Sequence, residues 1–243
     1  MAYRAERRIR YSPAPFRMRW YEAALLPIIP LCSVVIAVLV YPGWRTVRER
    51  WEPEISLLID FLRGQTRPVI FYGWHAYELL TWLAIKIFPP ELMPIAIAHD
   101  GFLSRALHRP SSWYGFPVWV YRRKSSLRPK EQLIEFMQSE RPIIGLFADA
   151  GGPDGQARQG LVDLAQATES WMVPFAMRTT PGLAVGSRQR YFIPLPFSTV
   201  TAFHGAPLDG RWITRQQCQA VLENLEYRID KSYGKSLNEP GHR

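Results

Sequence analysis

The chain has 243 residues, a formal charge of +9 and two cysteines, which is room for one main α/β domain with an appendage and a core of ordinary size. Cys32 and Cys218 lie far apart with no CxxC or Cys/His cluster, which argues against a disulfide framework and a zinc site and points to a reducing compartment. The basic surplus directs attention to anionic partners, and nucleic acid and the inner face of a membrane satisfy it equally.

The N-terminal region separates those two. Ala23 to Trp44 carries no charged side chain, and a helix of that length spans about 33 Å, close to the hydrocarbon thickness of a bilayer. Pro27 and Pro30 interrupt it, leaving Leu31 to Tyr41 as the unbroken piece, about 16 Å as helix. Arg4, Arg7, Arg8, Arg10, Arg17 and Arg19 precede the run and Arg45, Arg48 and Arg50 follow it, so the positive-inside rule sets no orientation. A re-entrant or monotopic anchor fits two basic flanks better than a simple span, with a buried core helix as the alternative. No small-x-small cleavage site follows, which disfavours a signal peptide. The expected division is a basic region with a membrane anchor over residues 1–50 and an α/β domain over 51–243. A nucleic-acid binder needs no such uncharged segment and would interleave aromatic with basic residues, so no nucleic-acid partner is expected.

Beyond the anchor, Pro68 to Gly73, Met93 to Ala98, Pro117 to Tyr121, Pro142 to Phe147 and Met172 to Met177 read as buried strands. They alternate with helical stretches, the pattern of a largely parallel central sheet covered by helices on both faces. A further strand is expected near Thr199 to His204. Arg215 to Lys231 places Cys218, Val221, Leu222, Leu225 and Ile229 on one face, and Thr214 with Gln217 forms a capping box. That is a helix for docking, without chemistry of its own.

Four clusters follow strand ends. His75, in RPVIFYGWHAYELL, stands where a strand hands over to a helix running from Ala76 through Ile87, with Glu78 one turn on. Asp100 and Gly101 open AHDGFLSRAL after the next strand. Tyr121 to Ser126, YRRKSS, is a concentrated cationic patch with two hydroxyls. Phe147 to Gly160, FADAGGPDGQARQG, is a Gly-rich loop between strand and helix. Each has a structural alternative: a hydrogen-bonding histidine, a helix cap or turn, a solvated face, a plain connection. All four fall on one rim of the sheet, the edge at which open α/β sheets place their chemistry.

In this order, GWHAYELL, AHDG, YRRKSS, FADAGGPDGQARQG and Met172-Val173-Pro174-Phe175 resemble the successive blocks of the lysophospholipid acyltransferase superfamily. They are most similar to its poorly characterised bacterial branch, with its WH pair, DG pair, RGSS-like block, DGPxGP-like loop and VPV-like strand. The resemblance covers about Arg67 to Leu208. It implies that His75 is the catalytic histidine. Better-known members carry an acidic residue five positions further on, where this chain has Leu80, so the partner is Asp100, which is favoured, or Glu78. Arg122, Arg123, Lys124 and Ser125 fall on the block that holds the acceptor's phosphate or sugar, and Asp149 with Gly151 and Gly152 on the Gly-rich block. Ala150 stands where that block has glycine, and Arg123-Lys124 where the branch has Arg-Gly.

The chemistry asks for the same residues. Moving an acyl group from a thioester to a hydroxyl needs a base near neutral pH, and histidine, with an ordinary pKa of about 6.5, suits that task. A carboxylate behind it fixes the tautomer and steadies the imidazolium. No G-x-S-x-G elbow occurs, and neither cysteine is a plausible nucleophile, so direct attack by the acceptor hydroxyl is expected. The expected activity is transfer of a fatty acyl group from acyl-CoA or acyl-ACP to a lysophospholipid or related lipid, on the cytoplasmic side of the inner or plasma membrane. Membrane lipids are the expected partners, and no metal or tightly bound cofactor is called for. A non-catalytic lipid-binding or scaffold protein of the same fold is the alternative, and hydrolysis of the thioester by water a third outcome.

Overall fold

A computed structural model describes residues 10–11, 31, 34, 45–78, 80–81, 87–99, 115–121, 127–149, 155–185 and 191–232. Its strands are β1 (Arg10–Tyr11), β2 (Arg48–Glu52), β3 (Val69–Gly73), β4 (Ile95–His99), β5 (Val118–Tyr121), β6 (Ile143–Phe147), β7 (Trp171–Val185), β8 (Tyr191–His204) and β9 (Leu208–Asp209). The helices are α1 (Ser56–Arg63), α2 (Pro129–Glu140), α3 (Gln159–Ala167) and α4 (Arg215–Ser232).

One sheet runs in the order β1-β5-β4-β6-β3-β7-β8-β2, with β9 on β7. From β1 to β7 every pairing is parallel, as the alternation of strand and helix predicts. The sheet is thus largely parallel, as expected; the exceptions are on one side, where β8 and β9 both pair antiparallel to β7, while β2 runs parallel to β8. Only residues 186–190 separate β7 from β8, far too few for the crossover that parallel neighbours require.

All five residues of β3 are buried, which is why its sequence is a continuous apolar run rather than an alternation. Val69 lies in register with Trp171, whose ring meets Phe61 of α1 edge-to-face at 5.5 Å. Phe71, on the same side, meets Phe88 at 5.6 Å. Tyr72 points the other way, where its hydroxyl meets Cys218 of α4. The sheet is therefore covered on both faces. On α4, Gln217 N–H donates to Thr214 Oγ1 at 3.2 Å and Thr214 N–H to Gln217 Oε1 at 2.8 Å, the expected capping box. Cys218, Leu222, Leu225 and Ile229 are buried, while Val221 is only half-buried.

Two expectations meet the structure differently. β2 lies across position 50 and pairs with β8 from Arg48 to Glu52, and β1 pairs with β5 from the N-terminal region, so strands of the sheet fall on both sides of residue 50. The predicted anchor over 23–44 lies, apart from Leu31 and Val34, outside the described residues. Among the described residues no helix is long and apolar enough to cross a membrane.

β3 ends on Gly73 for want of space. A Cβ there would stand 2.7 Å from the Phe175 ring and 2.8 Å from the Phe175 carbonyl oxygen, and the backbone of a central strand cannot retreat freely. Gly73→Ala is expected to cost about 1–3 kcal/mol, read as a lower midpoint in thermal unfolding.

Candidate active site

Because β3, β4, β5 and β6 run parallel, their C-terminal ends share one rim. Gly73 leads into Trp74-His75, His99 into Asp100, Tyr121 into Arg122, and Phe147 into Ala148-Asp149. The ends of β3 and β6 are tied together: Ala148 N–H donates to the Gly73 carbonyl at 2.7 Å, and Arg158 N–H to the Ala148 carbonyl at 2.8 Å.

His75 does not open an α-helix directly, as the sequence pattern predicts. It opens a 3-10 turn, His75–Tyr77, before helical geometry starts at Glu78. Trp74 is still extended, at φ −82° and ψ 147°, so the chain turns sharply at the histidine and the imidazole stays at the rim. Its Nε2 lies 3.0 Å from Glu78 Oε2, the i,i+3 contact of such a turn. Its ring leans on Phe147, with centroids 4.8 Å apart and planes at 32°.

Asp149 acts on the same residue from the other side. Its carboxylate is 5 % exposed, and Oδ1 accepts the His75 backbone N–H at 3.2 Å. The block resemblance gives Asp149 a place beside substrate, whereas the contact seen here is with the backbone that carries the histidine. Arg158 Nε donates to the Asp149 carbonyl at 3.5 Å. The hydrogen bond to Glu78 raises the His75 pKa, partial burial opposes it, and the Glu78 and Asp149 charges add to the rise.

Sequence reasoning missed the support behind this turn. Tyr77, 3 % exposed, donates its hydroxyl to Glu226 Oε1 of α4, and the Trp74 side chain is hydrogen-bonded to the same carboxylate. Burial pushes the Glu226 carboxyl above the usual carboxylate range, and these two donors oppose the shift. Both chain neighbours that bracket the histidine are thus fixed to one acidic side chain. α4 also reaches the Gly-rich segment: Gln219 Nε2 donates to the Gly155 carbonyl at 3.0 Å, and Ala157 N–H to Gln219 Oε1 at 2.7 Å. The only sequence signal was a carboxylate set between Leu225 and Ile229 on the edge of an apolar stripe.

The structure therefore brings His75, Glu78 and Asp149 together. Asp100, Arg122, Arg123, Lys124, Ser125, Gly151 and Gly152 lie outside the described residues.

No family model matches the chain, and no curated protein matches it at a significant level. Among solved structures it is similar to the 1-acyl-sn-glycerophosphate (LPA) acyltransferase PlsC from Thermotoga maritima, with a TM-score of 0.49 and 14% sequence identity over 91% of this chain and 86% of that one.

Proposed function

We propose that the chain is a membrane-associated O-acyltransferase that moves a fatty acyl group from a carrier thioester, acyl-CoA or acyl-ACP, to a hydroxyl of a lysophospholipid or related lipid. The observation that carries this reading is the His75 turn: an imidazole at a strand end, paired through Nε2 to Glu78 and held through its backbone by a buried carboxylate. The imidazole takes the acceptor's hydroxyl proton as the oxygen attacks the thioester carbonyl carbon. The tetrahedral oxyanion then expels the thiolate, which collects the proton from the imidazolium, so an ester and a free thiol leave together. Stabilisation of the oxyanion is assigned to backbone N–H groups of the Gly-rich segment, with Gly151 and Gly152. The ordered sequence blocks support Asp100 as a second acidic partner and Arg122, Arg123, Lys124 and Ser125 as the acceptor-phosphate group, since guanidinium forks match phosphate oxygens.

The test is transfer of a labelled acyl chain from a long-chain acyl-CoA, and separately from acyl-ACP, to lysophosphatidate in vesicles. Ester product is expected. Free fatty acid in its place would make the protein a thioester hydrolase, and lipid binding without turnover would favour the non-catalytic reading. Neutralising Arg122 and Arg123 together is expected to raise the KM for the anionic acceptor much more than for the donor. Equal effects on both substrates would remove the phosphate assignment.

A further inference from the structure

β7 pairs with β3 only as far as Tyr72 and Pro174, then continues to Val185 beside β8. At about 3.3 Å per residue the β7–β8 hairpin overhangs the rim that carries His75. Near its tip Phe192 stacks on Tyr77, with centroids 6.0 Å apart and planes at 22°.

The outer part of this hairpin is apolar and bare. Leu183 is 51% exposed and Phe197 80% exposed, with Pro196 and Ala184 also in the open. The ladder is interrupted between the Thr180–Thr199 and Gly182–Pro194 pairs, so Leu195 to Ser198 form a bulge. Phe197 sits in it at φ 65°, a region that bulky side chains rarely occupy. Its N–H donates to Thr46 Oγ1 at 3.1 Å. Thr46 is two residues beyond Trp44, where the long uncharged run ends.

The charges identify what this surface meets. Between Glu169 and Asp209 the chain has no acidic residue, and Arg178 in that stretch is already paired with Asp230 of α4 at 3.0 Å. Arg45 and Arg48 are exposed nearby on the path into β2. An exposed aromatic ring with Arg45 and Arg48 beside its strand matches the boundary between acyl chains and anionic headgroups. The chain's own N-terminal region, rich in arginine, is a poor electrostatic match for the same surface.

We propose that the β7–β8 hairpin is a membrane contact separate from the N-terminal run, with Phe197 and Leu183 seated in the interface of an anionic bilayer and Arg45 and Arg48 on its headgroups. The idea rests on the membrane association in the proposed function, and it gives that association a direction: the contact holds the His75 rim toward the lipid from which an acceptor would come.

The test uses the full chain with Cys32→Ser and a single new cysteine carrying an environment-sensitive fluorophore, the native Cys218 being buried. The label replaces Phe197, or in the control Trp212, which is 77% exposed and follows β9 at the opposite end of β7. The probes are vesicles of phosphatidylcholine with about one-third phosphatidylglycerol, a content high enough to give an anionic surface, with or without spin-labelled acyl chains. At position 197 the emission is expected to shift to the blue and to be quenched several-fold more by the spin-labelled lipid than at position 212. Equal, water-like behaviour at both positions in vesicle-bound protein would overturn the proposal. So would a label at 197 shielded from aqueous iodide yet untouched by the spin label, since protein would then be its cover. A protein that does not bind these vesicles at all would remove both this contact and the membrane reading. Lipid quenching at 197 in a protein that transfers no acyl group would leave the contact standing and remove the enzyme reading.

Discussion

His75→Ala is expected to lower kcat by about a hundredfold or more, the usual contribution of a general base, while unfolding temperature and vesicle binding stay close to those of the parent. The ring is partly exposed, and its packing is largely one face against Phe147, so its removal leaves the sheet core untouched. A purely structural histidine predicts the reverse: the Glu78 contact and the Phe147 contact would vanish together, the melting temperature would fall, and turnover per folded molecule would persist. Measuring transfer rate and thermal unfolding on the same preparations separates the two. Normal turnover in His75→Ala would end the mechanism proposed above.

The second large effect is in pH dependence. Since the Glu78 hydrogen bond raises the His75 pKa against the opposing effect of burial, the acid limb of kcat/KM is expected above about pH 6.5, the ordinary histidine value. Activity then rises with pH as the imidazolium loses its proton. Stability runs the other way: a histidine whose pKa is raised on folding contributes stability that is fully present below its unfolded pKa and is lost as pH rises through the folded one. Glu78→Gln removes the charge while keeping an acceptor, so the limb should move to lower pH and kcat should fall by about tenfold or more, as for groups that orient a catalytic residue. In a His75→Ala background the same change should add little, because residues that act as a unit are non-additive. If the limb moves in Asp100→Asn and stays fixed in Glu78→Gln, the acidic partner is Asp100.

The parallel half of the sheet could be read from the sequence because Val69 to Gly73 and Ile143 to Phe147 are nearly continuous apolar runs, and burial on both faces leaves little room for any other composition. Of the hairpin only the inner parts could, Met172 to Met177 and Thr199 to His204. Pro181 in β7, and Pro194 and Pro196 in β8, read as strand breakers, yet Pro194 lies beside the bulge, a place where a missing N–H is tolerated. β2, Arg-Glu-Arg-Trp-Glu, looks like the basic flank of an anchor because it is an edge strand, and charge is what edges carry. At the site, His75 was legible from its position after a strand, and Glu78 from its spacing. Asp149 was legible as a residue of the rim but not as the acceptor for the His75 backbone, since that contact joins two strand ends distant in sequence. Glu226 lies still further along the chain, and no local pattern ties a carboxylate on a docking helix to a turn near residue 75.

The hold that α4 exerts on Trp74, Tyr77 and the Gly-rich segment has a consequence for biosynthesis. Synthesis delivers β3, its histidine and Asp149 early, but the carboxylate that holds Trp74 and Tyr77 comes from position 226, after every strand of the sheet. A nascent chain lacking that helix can gather its sheet without holding the imidazole in place. The back of the rim therefore closes as one late event, when the ribosome releases the segment that carries Glu226.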